Sequence, residues 1–123
     1  MVNYELKDKV VLITGTNNPE GIGAATAYAF AKEGAKLVLV YKKIDRKYNE
    51  EKTDEFGVDR YYKANAQDAT ILENKLKEIN ADYIILEKDI SKEEDVKEIY
   101  NTAINKYEKV DILVNNAATD DEN

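Results

Sequence analysis

The sequence contains neither cysteine nor histidine. Without thiols it can form no disulfide framework and no thiolate metal site. Without imidazole it lacks the side chain most used for general-base work and metal ligation. Metal-dependent and Ser-His-Asp chemistries are therefore not expected, and no metal site is assigned. Basic residues are in deficit: 18 Lys and Arg against 25 Asp and Glu leave a net charge of -7. That sign suits solubility and opposes a broad polyphosphate-binding surface, so nucleic acid is not expected as a partner. No apolar run approaches the roughly 20 residues of a membrane span. The opening segment from Met1 to Lys9 mixes charges and has no apolar leader-like stretch. A cytoplasmic protein without membrane contact is the expectation.

What is present is enough apolar material for one modest core, since 123 residues with 43% hydrophobic content match a single domain. Four short apolar runs recur, at Val10–Ile13, Leu37–Val40, Tyr83–Leu86 and Ile112–Val114. They are continuous rather than alternating, the pattern of parallel strands covered on both faces by helices. Helical patterns lie between them. One runs from about Gly21 to Glu33, rich in alanine, with Gly34 as its expected C-terminal cap. A second is marked by Ala69, Leu72, Leu76 and Ile79. A third begins at Ser91-Lys92-Glu93-Glu94, which has the form of a capping box, and carries Val96, Ile99, Tyr100, Ala103, Ile104 and Tyr107 as one apolar stripe. The alternation predicts an α/β Rossmann-type doubly wound parallel sheet with strand order 3-2-1-4. As the fourth strand, Ile112, Leu113 and Val114 would form an exposed edge from residues suited to an interior. Pairing through that edge is expected, and the sheet reads as truncated after this strand.

Directly after the first run comes Thr14-Gly15-Thr16-Asn17-Asn18-Pro19-Glu20-Gly21-Ile22-Gly23, followed by a helix. Glycines there let the backbone turn tightly and approach a pyrophosphate whose charge sits at the helix N-terminus. Read from the residues alone, the turn also suits a tight strand-to-helix connection with a packed Gly-Ile-Gly. Likewise Asp89 could start a helix, and Asn115-Asn116 could form a turn.

Together these segments resemble the short-chain dehydrogenase/reductase family, whose fingerprint is Thr-Gly, a few residues, then Gly-Ile-Gly. Asp89-Ile90-Ser91 follows the third run, where the family places an Asp and an aliphatic residue against adenine. Asn115-Asn116-Ala117-Ala118 follows the fourth, matching the family's Asn-Asn-Ala-Gly except at Ala118. The resemblance implies cofactor contacts from Gly15, Asn17, Asn18, Gly21, Ile22, Gly23, Tyr41, Lys42, Asp89, Ile90, Asn115 and Ala117. It covers nearly the whole chain, with residues 1–118 as the N-terminal part of a dinucleotide-binding domain and 119–123 as an acidic tail. The segment 43–65 is polar, shows no sustained period and is taken as an insertion beside the adenosine end of the nucleotide. This enlarged crossover is similar to a bacterial subgroup related to 3-oxoacyl-thioester reductases, which also carries a Gly-Val-Asp like Gly57-Val58-Asp59. The turn's long spacing from Gly15 to Gly21 is shared with enoyl-thioester reductases of a divergent branch, although those replace Gly-Ile-Gly with Ser-x-Ala.

Cofactor choice belongs at the end of the second strand, where an acid would favour NAD. Tyr41 stands there, followed by Lys42 and Lys43, which favours NADP and leaves NAD possible. The two lysines also suit an ordinary solvated loop, and Glu20 rather than a base precedes Gly21. The family's Ser and Tyr-x-x-x-Lys lie beyond its fourth strand, so no catalytic residue is assigned and the chain alone is expected to be inactive. Tyr48-Asn49-Glu50-Glu51-Lys52 has that spacing in the wrong place and is not read as catalytic. The implied function is the nucleotide-binding part of an NAD(P)H-dependent reductase of a small carbonyl, forming homo-oligomers. The alternative is a non-catalytic binding module that pairs with another chain.

Overall fold

The computed structural model describes residues 4–118, so the acidic tail at 119–123 lies outside the described residues. Strands β1 (Val10–Thr14), β2 (Lys36–Tyr41), β3 (Asp82–Glu87) and β4 (Ile112–Val114) form one parallel sheet in the order β3-β2-β1-β4. Register is continuous from Val10 against Lys36 to Thr14 against Val40, and β2 continues it onto β3. β4 joins β1 through Val11 to Ile13. Its start is fixed by Asp111, whose carboxylate accepts the Val10 N–H at 2.8 Å.

Burial explains why the runs are continuous. β1 is buried along its whole length and β2 nearly so. Alternate residues point to two separate cores. On one face Val11, Ile13, Leu37 and Leu39 meet helices α1 (Ile22–Lys32) and α3 (Thr70–Glu78) through Ala24, Ala27, Ala31, Leu72 and Leu76. Small alanines let α1 lie close to the sheet. Gly34, at φ +83, then reverses the chain in the conformation glycine adopts without a Cβ penalty. On the other face Val10, Leu12, Val38 and Val40 meet Ile99 and Ala103 of helix α4 (Glu93–Tyr107).

Three expectations are corrected. The capping box at Ser91 does not form: Lys92 is the N-cap of α4 without a side-chain cap bond, and the Ser91 hydroxyl donates to Asp89 at 2.6 Å instead. The apolar stripe of α4 is buried only in part, with Ile99 and Ala103 inside and Val96 and Tyr100 exposed. The 43–65 segment is not featureless, for it contains a 3-10 turn at Glu50–Lys52 and helix α2 (Val58–Asn65). Ile44 N–H donates to the Asn65 carbonyl at 2.9 Å, folding the segment back on itself.

Candidate functional site

The strand order reverses at β1, which lies between β2 and β4, and the crevice beyond the C-terminal strand ends is where open α/β sheets take ligands. A cleft of about 1080 Å³ opens there. It is lined by the glycine turn, the ends of β2 and β3, the residues after β4 and, from the insertion, Phe56, Gly57, Arg60 and Tyr61. That volume lies just above the usual range for small-molecule sites, about 300–1,000 Å³.

The turn is closed by contacts that require its glycines. Gly15 has φ +73, and a Cβ on it would lie 2.9 Å from Asn116 Nδ2. A Cβ on Gly23 would lie 2.3 Å from the Gly15 carbonyl oxygen and 2.7 Å from the same Asn116 nitrogen. Asn116 Nδ2 donates to the Gly15 carbonyl at 3.0 Å. Thr14 Oγ1 accepts the N–H groups of Asn116 at 3.1 Å and Ala117 at 3.0 Å. The ends of β1 and β4 are thereby clamped together. Thr16, fully buried, donates its hydroxyl to the Val40 carbonyl at 3.2 Å and ties the turn to β2.

The extra length of the turn is also accounted for. Asn17 is buried and its amide donates to the carbonyls of Asn65 at 2.9 Å and Gln67 at 2.8 Å, anchoring the end of α2. Its side chain is thus occupied in holding the insertion. Asn18 accepts the Glu20 N–H on its side chain and the Gly21 N–H on its carbonyl, shaping a tight bend. Ile22 is 76% exposed, unusual for an aliphatic residue, and lines the cleft at the start of α1.

At the opposite wall Tyr41 is buried, and burial together with the Glu87 carboxylate raises its pKa. Lys42 Nζ lies 3.1 Å from Asp89 Oδ2. Asp89 also accepts the Ser91 hydroxyl and the Ser91 N–H at 2.9 Å, and these bonds with Lys42 hold its carboxyl far below the usual carboxylate range. Ile90 lines the cleft beside it. Of the expected residues, Gly15, Asn17, Asn18, Gly21, Ile22, Tyr41, Lys42, Asp89, Ile90 and Ala117 converge on this one space. Gly23 packs behind the turn, and Asn115 is exposed outside the lining, with Asn116 in its place. Tyr48 and Lys52 do not line the cleft.

The sequence reading missed Thr14 and Asn116 as clamps and Phe56, Arg60 and Tyr61 as a wall. Arg60 Nε donates to both carboxylate oxygens of Glu20 at 3.0 Å, and its guanidinium lies 4.6 Å from the centre of the Phe56 ring. Hydrogen bonding to Arg60 lowers the Glu20 pKa. The other cations lining the cleft are paired as well, Lys42 with Asp89 and Lys88 with Glu98. Among the described residues no group of acids could hold a metal ion, and no helix is long and apolar enough to cross a membrane.

A parallel sheet of order 3-2-1-4, helices on both faces and a glycine turn at the switch point define a Rossmann-type α/β domain. The family follows from comparison with known proteins: the model for short chain dehydrogenases matches residues 54–123, and that for enoyl-(acyl carrier protein) reductases matches residues 15–84. The chain belongs to the short-chain dehydrogenase/reductase family. It is 35% identical over 114 residues to 11-beta-hydroxysteroid dehydrogenase-like 5 of Arabidopsis thaliana, covering 92% of this chain and 23% of that relative. It is 38% identical over 114 residues to the uncharacterized oxidoreductase YxnA of Bacillus subtilis, covering 93% of this chain and 25% of that one. Among solved structures, NADH-dependent reductase A1-R' complexed with NAD superposes with a TM-score of 0.66 at 28% identity, covering 96% of this chain and 39% of that one. The chain therefore spans well under half the length of these relatives.

Proposed function

We propose that this chain is the nucleotide-binding part of an NAD(P)H-dependent oxidoreductase that reduces a small carbonyl to an alcohol, a 3-oxoacyl thioester being one candidate substrate. The observation that carries the reading is the convergence of the glycine turn, Asp89-Ile90 and Asn116-Ala117 on one cleft of about 1080 Å³. The cleft fits a dinucleotide in its chemistry. A backbone bend with glycine at φ +73, stacked on the start of α1, offers N–H groups and the positive end of a helix to a diphosphate. Ile90 and Ile22 give apolar surface for flat rings, and Asp89, ionised at any physiological pH, is an acceptor for an amine or hydroxyl.

When bound, the nicotinamide supplies hydride to a carbonyl. In this reading the chain's own residues bind and orient. Gly15, Gly21 and the first N–H groups of α1 hold the diphosphate, Asn116 and Thr14 fix the turn against β4, and Asp89 with Ile90 holds the adenine. No residue of the chain is assigned as the proton donor in this reading, and Tyr48 and Lys52, which have the family's catalytic spacing, do not line the cleft. NADP is favoured over NAD because β2 ends in Tyr41 instead of an acid, Lys42 follows it directly, and a second cation, Arg60, lines the same cleft beside the glycine turn.

Calorimetric titration tests this. NADP should bind with a Kd at least about tenfold below that of NAD, as one added charge-assisted phosphate contact implies. Equal or reversed affinities would remove the cofactor preference, and binding of neither would remove the functional reading.

A further inference from the structure

Arg60 emerges from the insertion at a point where its charge meets the glycine turn. It reaches Glu20 across 40 residues of sequence and lines the cleft together with it. Three contacts orient the guanidinium: the Glu20 carboxylate, the Asp54 carbonyl at 3.4 Å from Nη1, and the Phe56 ring 4.6 Å away. A guanidinium has five N–H donors in a planar fork. Glu20 takes the Nε hydrogen and one on Nη2, and Asp54 takes one on Nη1. Two hydrogens, one on each terminal nitrogen, remain for another acceptor.

The other cations of the cleft are less suited to reading a phosphate. Lys42 is tied to Asp89, which is itself fixed by Ser91, and Lys88 is tied to Glu98 on α4. An ammonium acts as a point charge, whereas a guanidinium meets two phosphate oxygens at once. Glu20 sits immediately before Gly21, so its carboxylate would repel an anionic ligand unless it were compensated. Arg60 provides that compensation.

We infer that Arg60 recognises a phosphate monoester on the adenosine ribose of the bound nucleotide, and that Glu20 competes with this phosphate for the same guanidinium. The inference rests on the dinucleotide reading given above and names its specificity-determining pair. Phosphate, with up to two charges, takes the two remaining N–H groups and draws the guanidinium away from the singly charged carboxylate. A nucleotide lacking that phosphate leaves the Arg60–Glu20 pair closed.

The test compares 2′,5′-ADP with 5′-AMP by calorimetry on the intact protein that carries these residues, for the native sequence, Arg60→Ala and Glu20→Gln. Arg60→Ala should weaken 2′,5′-ADP by about tenfold or more and change 5′-AMP by less than about twofold. Glu20→Gln should tighten 2′,5′-ADP by roughly three- to tenfold, because the competing charge is gone. If the pair were only a structural latch, both variants would lose both nucleotides alike, and that result overturns the inference. Unchanged 2′,5′-ADP affinity in Arg60→Ala also overturns it while leaving the cleft's reading intact. Failure of the native protein to bind either nucleotide overturns both. Should Arg60→Ala not fold, the direction of the Glu20→Gln effect decides alone.

Discussion

Gly23 shows how tightly single residues constrain the site. A methyl group there would stand 2.3 Å from the Gly15 carbonyl oxygen, a backbone atom that can yield only by opening the turn. Overpacking of this kind costs about 1–3 kcal/mol, so Gly23→Ala should lower Tm by roughly 5–10 °C. Because the same turn forms the cleft wall, nucleotide affinity should fall about tenfold or more beyond the stability loss. Calorimetry and thermal melting on one sample check both. Asp89 allows a prediction of sign. Its carboxyl titrates below the ordinary Asp value because Ser91 and Lys42 favour the charged form. Its contribution to stability is therefore fully present above the unfolded-state pKa of about 3.9 and is lost as pH falls through the lower folded-state value. Asp89→Asn should be less stable than the native protein at pH 7, and the gap in Tm should narrow below about pH 4. A gap that widens on acidification would contradict this assignment.

At the scale of elements, the start of α4 is the clearest place to improve on the native sequence. Lys92 occupies the N-cap in extended conformation with no side-chain acceptor to offer, next to a first turn containing Glu93, Glu94 and Asp95. Lys92→Asp should supply an acceptor for the helix N–H groups and stabilise the chain by about 0.5–1 kcal/mol, a Tm gain of a few degrees. The sequence misleads here because Ser91 has a nearer partner in Asp89, and a local side-chain bond competes with the cap. The strands, by contrast, were legible because β1 and β2 are buried on both faces and so appear as unbroken apolar runs. Helix α2 was not. Its eight residues bury only Ala64 and are too few to establish a helical period, which needs a window of about 11–18 residues. It is held by contacts with residues distant in sequence, among them the two hydrogen bonds from Asn17 and the Arg60–Glu20 ion pair at 40 to 50 positions' separation, and by nearer ones such as Lys63 with Glu50. The site was legible in the same uneven way. Glycines and Asp89 follow strand ends and can be placed by counting, whereas Phe56, Arg60 and Tyr61 enter the cleft only once α2 exists.

Across the whole molecule, the fold brings three separate stretches of chain to one end of the sheet. Thr14 and Asn116 clamp β1 to β4, Thr16 ties the turn to β2, and Asn17 draws the insertion over the crevice. These bonds place the glycine turn, the β3 end and the β4 end around a shared space and leave β4 as an edge with Leu113 57% exposed. The central claim is that this space holds one nicotinamide dinucleotide. A two-dimensional amide NMR titration with NADP tests it most directly. Saturable shifts should cluster at Gly15, Gly21 to Gly23, Asp89, Ile90 and Asn116, with the remainder of the chain little changed. Shifts that do not saturate, or that fall on surfaces away from those residues, would contradict it.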